Sequence, residues 1–172
     1  VEALTGRRLQ EKPGQAGGVN GVLVAALAPA GNSFVQRDAH RYAALDTLVL
    51  LCGRFEGIDE RALRAVDERI SVGDFILTGG EIPAMAVADA TLRLLPGVLK
   101  EGSAEEESFE NGLLEYPQYT QPAELFGQKV PEVLRSGDHE KVEAWRREEA
   151  YLTTLRFRPD LLEKIDQDEK KR

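Results

Sequence analysis

The stretch SVGDFILTGGEIPAM, Ser71–Met85, joins an apolar run to the start of a helical pattern through two adjacent glycines, Gly79 and Gly80. Pro83 falls in the first turn of the helical pattern, where its missing N–H costs no hydrogen bond. Glycines between a buried strand and a helix let another group approach the backbone closely. The stretch therefore predicts a buried strand over residues 71–80, and it raises the question of what approaches the two glycines.

The same arrangement occurs twice upstream, where an apolar run ends in a loop containing Gly and is followed by helical spacing. None of the three apolar runs alternates with polar residues, which is typical of parallel strands buried on both faces. The alternation of strands and helices therefore predicts an α/β fold with a parallel sheet covered by helices. In chain order the predicted strands span residues 21–29, 47–57 and 71–80, and the predicted helices span residues 32–46, 58–70 and 81–95.

The composition excludes several classes of protein. The longest apolar runs fall short of the roughly 20 residues that a membrane span needs, so no membrane association is expected. Cys52 is the single cysteine, which excludes a disulfide framework and a Cys-rich metal site. A single cysteine also favours a reducing cytoplasm, and no structural metal is expected. The net charge of −8 disfavours broad electrostatic binding to nucleic acid, although the acid is concentrated in residues 101–115 and a local basic face remains open.

The character of the chain changes after the third predicted helix. Residues 98–112 are acidic and rich in small residues, which is typical of a flexible linker. Residues 113–172 contain a long helical pattern with Ser136 or Asp138 as its N-cap. The predicted organisation is an α/β domain over residues 1–97, the linker, and a small, mostly helical C-terminal domain.

The loops after the three predicted strands are expected to share one edge of the sheet. They comprise residues 28–31, 53–57 and 78–80. Ligands of open parallel sheets bind at this edge, beyond the carboxyl ends of the strands, and glycines there would let the main chain touch a flat ligand. The sequence lacks both the phosphate-loop motif and the G-x-G-x-x-G dinucleotide motif. The alternative is that the glycines only form turns.

Five blocks of the sequence carry a resemblance to a known family. In order and spacing, the chain from about residue 21 to 162 resembles bacterial tRNA guanine-N1 methyltransferases. The resemblance implies methylation of N1 of the guanosine at tRNA position 37, next to the anticodon, with S-adenosylmethionine as cofactor. It also implies the fold of the SPOUT superfamily, in which a deep trefoil knot forms the cofactor site, a homodimer, and tRNA binding by the C-terminal domain. The blocks are LLCGRFEGIDER (50–61), SVGDFILTGGEIPAM (71–85), RLLPGVL (93–99), ESFENGLLEYPQYTQP (107–122) and VPEVLRSGDHEKVEAWR (130–146).

The resemblance suggests an answer to the question raised by the two glycines, because the last knot loop of the family wraps the adenosine. It implies backbone contacts from Ile76 and Leu77 to the adenine, a role for Glu56 in balancing the positive methyl donor, and an orienting or dimer-pairing role for Asp74. The implied cofactor-binding residues are Leu27, Pro29, Gly53, Phe55, Glu56, Gly57, Ser71, Val72, Gly73, Asp74, Ile76, Leu77, Gly79, Gly80 and Pro83.

Two side chains are implied to be catalytic. N1 of guanine carries a proton that must leave, so a general base is expected. The family uses the Asp of an Asp-Ser-Phe motif, and this chain has Glu107 at that position, with Glu106 as the alternative. Arg93 matches a family arginine that would stabilise negative charge on guanine O6, and its alternative role is a structural ion pair. A catalytic Mg²⁺ assisted by carboxylates remains open.

The resemblance also implies which residues meet the tRNA. Arg146, Arg147, Arg156 and Arg158 are candidate phosphate contacts, and the alternative for them is a solvated helix face. Only about 20 residues precede the first predicted strand, whereas the family has a longer amino-terminal half with a Pro-Tyr-Gly-Gly-Gly motif. A truncated or shortened chain is therefore expected.

Two alternative functions stay open. One is another knotted RNA methyltransferase that acts on a different RNA. The other is a catalytically inactive, dimeric binding module that has kept the fold. Binding of the cofactor without turnover would favour the second alternative.

Overall fold

The computed structural model describes residues 21–100 and 102–169, with side chains up to residue 165. The Gly-rich lead-in of residues 1–20 lies outside the described part of the chain. The chain divides into two compact units between residues 101 and 102. The predicted domain boundaries and the flexibility of the linker stay predictions.

The first unit is built around a three-stranded parallel sheet. Its strands are β1 (Val22–Ser33), β2 (Thr47–Cys52) and β3 (Glu68–Ser71). Their order is β2-β1-β3, and β1 pairs in parallel with both neighbours. The prediction of a parallel α/β fold is therefore confirmed for the first unit.

Three helices follow the strands in alternation, as the sequence predicts. They are α1 (Gln36–Ala43), α2 (Glu60–Leu63) and α3 (Glu81–Leu92). The second is much shorter than the predicted helix over residues 58–70, because the chain turns into β3 from Glu68.

The core lies on both faces of β1, whose residues 23–26 are completely buried. Because side chains alternate along a strand, one face of β1 packs with Tyr42 of α1 and Val87 of α3. The opposite face packs with Val66 and with Leu63 of α2. The helices therefore cover both faces of the central strand.

The predicted position of the third strand is wrong. The strand is Glu68–Ser71, and the apolar run that was predicted to be the strand forms a loop in which Ile76 is 80% exposed. The charged Glu68 is accommodated because its carboxylate accepts hydrogen bonds from Arg41 Nη2, at 2.9 Å, and from the Tyr42 hydroxyl. Tertiary partners, rather than an apolar sequence, therefore place β3.

The first strand also extends beyond its predicted end at Pro29. It runs to Ser33, with a shift in its register against β3 between Leu27 and Asn32. A Cβ at Gly31 would lie 2.4 Å from the backbone N of Ile70. Gly31 therefore does not end the strand but allows it to pass close to the backbone of β3.

The second unit contains the long predicted helix. Asp138 is its N-cap and accepts a hydrogen bond from the Lys141 backbone N–H at 3.2 Å. Within the described residues, no helix combines the length and the apolar character that crossing a membrane requires. The elements of this unit are β4 (Glu124–Leu125), β5 (Gln128–Lys129), a 3₁₀ helix (Glu132–Arg135), α4 (His139–Phe157) and α5 (Pro159–Glu169).

Candidate cofactor-binding site and carboxylate cavity

The loops after β2 and β3 meet residues 27–29 of β1 around a cavity of about 260 Å³. The predicted loop over residues 28–31 is wrong, because β1 continues through it to Ser33. The backbone N–H of Gly80 donates a hydrogen bond to the Gly53 carbonyl at 2.9 Å, and Arg54 forms a β-bridge with Gly79. The loop after β3 therefore contacts the loop after β2, although β1 lies between those two strands in the sheet.

The structure brings together nearly all of the residues that the resemblance implies for cofactor binding. Asp74 is the exception, because it does not line this cavity. The contact of these residues with a cofactor stays a prediction. The predicted residues that line the cavity are Leu27, Pro29, Gly53, Phe55, Glu56, Gly57, Ser71, Val72, Gly73, Ile76, Leu77, Gly79, Gly80 and Pro83.

In the first unit, protein atoms already lie close to both Gly79 and Gly80. A Cβ at Gly80 would lie 2.8 Å from Cys52 Cα, so the end of β2 occupies the space that a side chain would need. At Gly79 a Cβ would lie 3.2 Å from Arg54 Cγ and would collide with the Glu81 carboxylate. Close packing against the backbone of Cys52 therefore requires a glycine at position 80 before any ligand is considered. At position 79 the nearest atom is the end of the flexible Glu81 side chain, which can move aside.

The cavity has mostly apolar and main-chain walls with few charges. Phe55 lies beside it at the tip of a tight turn, with a positive φ of 57° and a side chain that is 99% exposed. Such strain in a non-glycine residue is characteristic of functional loops. Arg54 and Glu56 are the charged residues among those lining the cavity. Apolar walls with a small number of polar groups suit a flat heteroaromatic ligand.

Sequence reasoning missed several residues of the cavity. Arg54, Phe75 and Thr78 lie within the sequence motifs that carry the family resemblance, so their position in those motifs indicated that they lie near the cavity. Ile58 also lies inside a motif, directly after Gly57. Leu63 and Ile70 reach the cavity only through the packing of α2 and β3, which no local pattern indicates. The full set of missed lining residues is Ala28, Arg54, Ile58, Leu63, Ile70, Phe75 and Thr78.

A second cavity, of about 480 Å³, lies within the second unit and contains Glu107. Its wall combines carboxylates with guanidinium groups and the Tyr116 ring, so it offers both hydrogen-bond acceptors and donors. The charged residues that line it are Glu106, Glu107, Glu115, Glu143, Arg146 and Arg147.

Glu106 is held in a network of polar and ring contacts. Its Oε2 accepts a hydrogen bond from the Tyr116 hydroxyl at 3.0 Å and one from Arg146 Nη1 at 3.2 Å. The Arg146 guanidinium also stacks over the Tyr116 ring at 4.7 Å. Burial, helped by the bond to Glu106, raises the pKa of Tyr116 and keeps it a donor. These bonds tie Glu106 to Tyr116 and Arg146, and Glu107 lines the same cavity.

The arginines expected to contact tRNA differ in their surroundings. Arg158 makes two bonds of 2.8 Å to the Asp160 carboxylate and holds the pKa of Asp160 at about 2. Arg156 lies over the Phe157 ring at 4.9 Å. Arg147, like Arg146, lines the second cavity.

The two residues implied to be catalytic belong to different units. Arg93 follows α3 in the first unit, and its backbone N–H donates to the Asp89 carbonyl at 3.1 Å. Glu107 belongs to the second unit. Among residues 21–100 and 102–169, no group of three or more His, Cys, Asp and Glu side chains could hold a metal ion.

Comparison with known proteins gives a consistent result. Residues 15–164 match the family described as tRNA (Guanine-1)-methyltransferase TrmD. A protein named tRNA (guanine-N(1)-)-methyltransferase from Desulforudis audaxviator is 57% identical over 147 residues, which cover 85% of this chain and 59% of that protein. Proteins of the same name from Metamycoplasma arthritidis and Thermotoga maritima are 58% and 54% identical, over 80% and 82% of this chain and 61% and 58% of their own lengths. The chain thus spans about three fifths of the length of these curated relatives.

Proposed function

Because the chain belongs to the tRNA (guanine-1)-methyltransferase family, we propose that it transfers a methyl group from S-adenosylmethionine to N1 of the guanosine at tRNA position 37. The observation that carries the proposal is the cavity in the first unit. It gathers the residues that the family resemblance implies for cofactor binding, all except Asp74, from β1 and from the loops after β2 and β3.

The residues around this cavity fit S-adenosylmethionine. The apolar side chains of Leu27, Leu77 and Pro83 offer surfaces for a purine, and main-chain groups of the glycine loops offer hydrogen bonds. The Glu56 carboxylate supplies charge opposite to that of a sulfonium. The cofactor supplies an activated methyl group on a good leaving group, so the protein's contribution is mainly to bind and orient.

In the proposed reaction, Glu107 takes the proton from guanine N1. S-adenosylmethionine bound in the cavity would supply the methyl group for N1, and its sulfur would keep the electrons of the carbon–sulfur bond. Arg93 donates to guanine O6, where negative charge grows as N1 loses its proton. The described residues offer no cluster of three or more His, Cys, Asp and Glu side chains for a metal ion, so no step of the proposed reaction involves Mg²⁺.

The contact between two of the loops supports the knotted topology of the family. The segment after β3 passes beyond β1 and hydrogen-bonds to Gly53 at the end of β2. A chain crossing of this kind is what a knot around the cofactor site requires. We therefore propose the trefoil knot for this chain.

The outer face of α3 supports a homodimer. Ile82, Met85 and Leu92 are separated by three and seven residues and lie on one side of the helix, and Met85 is 71% exposed. An apolar stripe of this kind on a helix is typical of a protein interface. We propose that two copies pair through this face.

Two further proposals follow from the proposed substrate. Arg147 of α4 takes part in tRNA binding, and the protein works in the cytoplasm, where its tRNA substrate would be found.

The test measures binding and turnover separately. The chain is titrated with S-adenosylmethionine in a calorimeter, and methyl transfer is measured on a tRNA transcript with guanosine or adenosine at position 37. We expect about one cofactor bound per protomer and transfer only to the guanosine transcript. A folded chain that binds no cofactor, or that methylates both transcripts equally, would contradict the proposal.

Three variants test the base. Glu107→Gln is expected to lower methyl transfer roughly 100-fold or more, since a positioned general base contributes about 10²–10⁴-fold, and to leave cofactor affinity unchanged. Glu107→Asp, which restores the family's residue, is expected to stay active. Glu106→Gln is the control, and it is expected to change methyl transfer much less than Glu107→Gln does. Equal turnover in Glu107→Gln and the unmodified chain would exclude Glu107 as the base.

A further inference from the structure

An ion pair joins the two loops whose backbones meet beside the cofactor cavity. Arg54 Nε lies 2.5 Å from Glu81 Oε1. Arg54 belongs to the loop after β2 and lines the cavity, whereas Glu81 is the first residue of α3, directly after Gly79 and Gly80. The pair therefore spans the line along which the two loops touch.

The ion pair adds side-chain contact to a backbone contact. Arg54 forms β-bridges with both Gly57 and Gly79. Arg54 Cγ and the Glu81 carboxylate both lie close to the position that a Cβ on Gly79 would take, so the two side chains pack beside Gly79. Arg54 thus fixes its own loop through Gly57 and fixes the other loop through Gly79 and Glu81.

The exposure of this pair argues against a role in holding the fold together. The Arg54 and Glu81 side chains are 66% and 46% exposed, and ion pairs in water contribute little to stability. The folded core is provided by β1 and the helices that cover it. A weak, solvent-exposed link between two loops beside a cavity is suited to opening and closing.

We propose that Arg54 and Glu81 are positioning residues that form a clasp, closing the loops over the cofactor and slowing its dissociation. When the clasp opens, the loop after β3 can move away from Gly53 and Gly57 and release the ligand. The clasp lies entirely within the first unit and acts before any RNA is bound. The inference rests on the proposed function, since it takes S-adenosylmethionine as the ligand.

Glu60 and Arg69 provide a matched control elsewhere in the first unit. Glu60 is the first residue of α2, as Glu81 is of α3, and its Oε1 lies 2.6 Å from Arg69 Nη2. Neither Glu60 nor Arg69 lines the cavity. The substitutions Glu81→Gln and Glu60→Gln therefore make the same chemical change at the start of two helices, and only the first breaks the clasp.

The experiment measures the dissociation rate of S-adenosylmethionine from the full chain by stopped-flow displacement, at low and high KCl. In Glu81→Gln we expect dissociation to be about threefold to fivefold faster at low salt, the range that an exposed ion pair can provide. We expect Glu60→Gln to match the unmodified chain. Arg54→Gln and the Arg54→Gln/Glu81→Gln double variant should dissociate at similar rates, because either substitution alone breaks the pair.

Salt distinguishes the clasp from a merely structural effect. Salt screens exposed ion pairs. KCl should therefore speed up dissociation from the unmodified chain more than dissociation from Glu81→Gln, and the difference between the two rates should shrink. Equal rates and equal salt dependence in Glu81→Gln, Glu60→Gln and the unmodified chain would overturn the clasp while leaving the proposed function intact. Failure of the folded, unmodified chain to bind S-adenosylmethionine would instead overturn the proposed function, and the clasp with it.

Discussion

Residues 23–27 and residues 75–77 are both apolar runs, but they end in opposite environments. The first run is the centre of β1 and is buried on both faces, whereas the second lies in the loop after β3 with Phe75 and Ile76 largely exposed. The buried run holds the fold, and the exposed run borders the cavity. Apolar surface that a monomer leaves exposed beside a cavity is better explained by binding than by stability.

The largest effect is expected in the buried run. Leu23→Ala removes a fully buried side chain from the face that packs on Tyr42 and Val87. Loss of a buried leucine costs about 2–5 kcal/mol of unfolding free energy, which is a large part of the stability of a small unit. Urea denaturation followed by circular dichroism measures this loss. A loss below about 1 kcal/mol would show that β1 is not the centre of the core.

The next effect is expected where the two loops touch. Gly80 has φ −78° and ψ −5°, which any residue can adopt, so Gly80→Ala tests space alone. The new Cβ would press on Cys52 Cα, and overpacking costs about 1–3 kcal/mol. If the loops move apart to relieve it, the affinity for S-adenosylmethionine should fall roughly tenfold. Calorimetry measures the affinity, and an unchanged value with an unchanged urea midpoint would contradict this packing.

The contrast between the two runs also explains how far the sequence could predict the fold. Long apolar runs identified β1 and β2, Pro83 identified the start of α3, and Asp138 identified the start of α4. The third strand was predicted in the wrong place because β3 contains the charged residues Glu68 and Arg69. The run that follows it is more apolar and therefore matched the pattern of a buried strand better. Only the folded structure provides the hydrogen bonds from Arg41 and Tyr42 that make a strand favourable there.

The candidate site was predicted better than the strand beside it. Glycines at the ends of apolar runs, together with the family resemblance, located most of the residues that line the cavity, but not those that packing alone brings there. The sequence could not predict that Arg54 would pair with Glu81, since the two lie 27 positions apart. Nor could it predict that Glu106 would be committed to Tyr116 and Arg146 while its neighbour Glu107 lines the same cavity.

A smaller effect should separate binding from stability in the exposed run. Ile76→Ala shortens a side chain that is mostly in water, so the unfolding free energy should change by less than about 0.5 kcal/mol. The affinity for S-adenosylmethionine should fall about twofold to fivefold as apolar contact with the ligand is lost. Val35→Ala, at another exposed apolar position, is the control and should change neither quantity. A loss of stability comparable to that of Leu23→Ala would remove the distinction between the two runs.

The smallest expected effect is that of lowering the pH. Acid should weaken the contact between the two loops by protonating Glu81. It should not affect residues 23–27 directly, since that run has no ionisable side chain. The hydrogen bond from Arg54 lowers the pKa of the Glu81 carboxyl, so the pair is fully formed above the ordinary carboxyl pKa and is lost as pH falls through the lowered value. Carbon-detected NMR titration should find Glu81 ionising below the ordinary glutamate range, and Arg54→Met should return it to that range. If the Glu81 pKa were the same in both chains, Arg54 would not hold the carboxylate, and the two loops would be joined by their backbones alone.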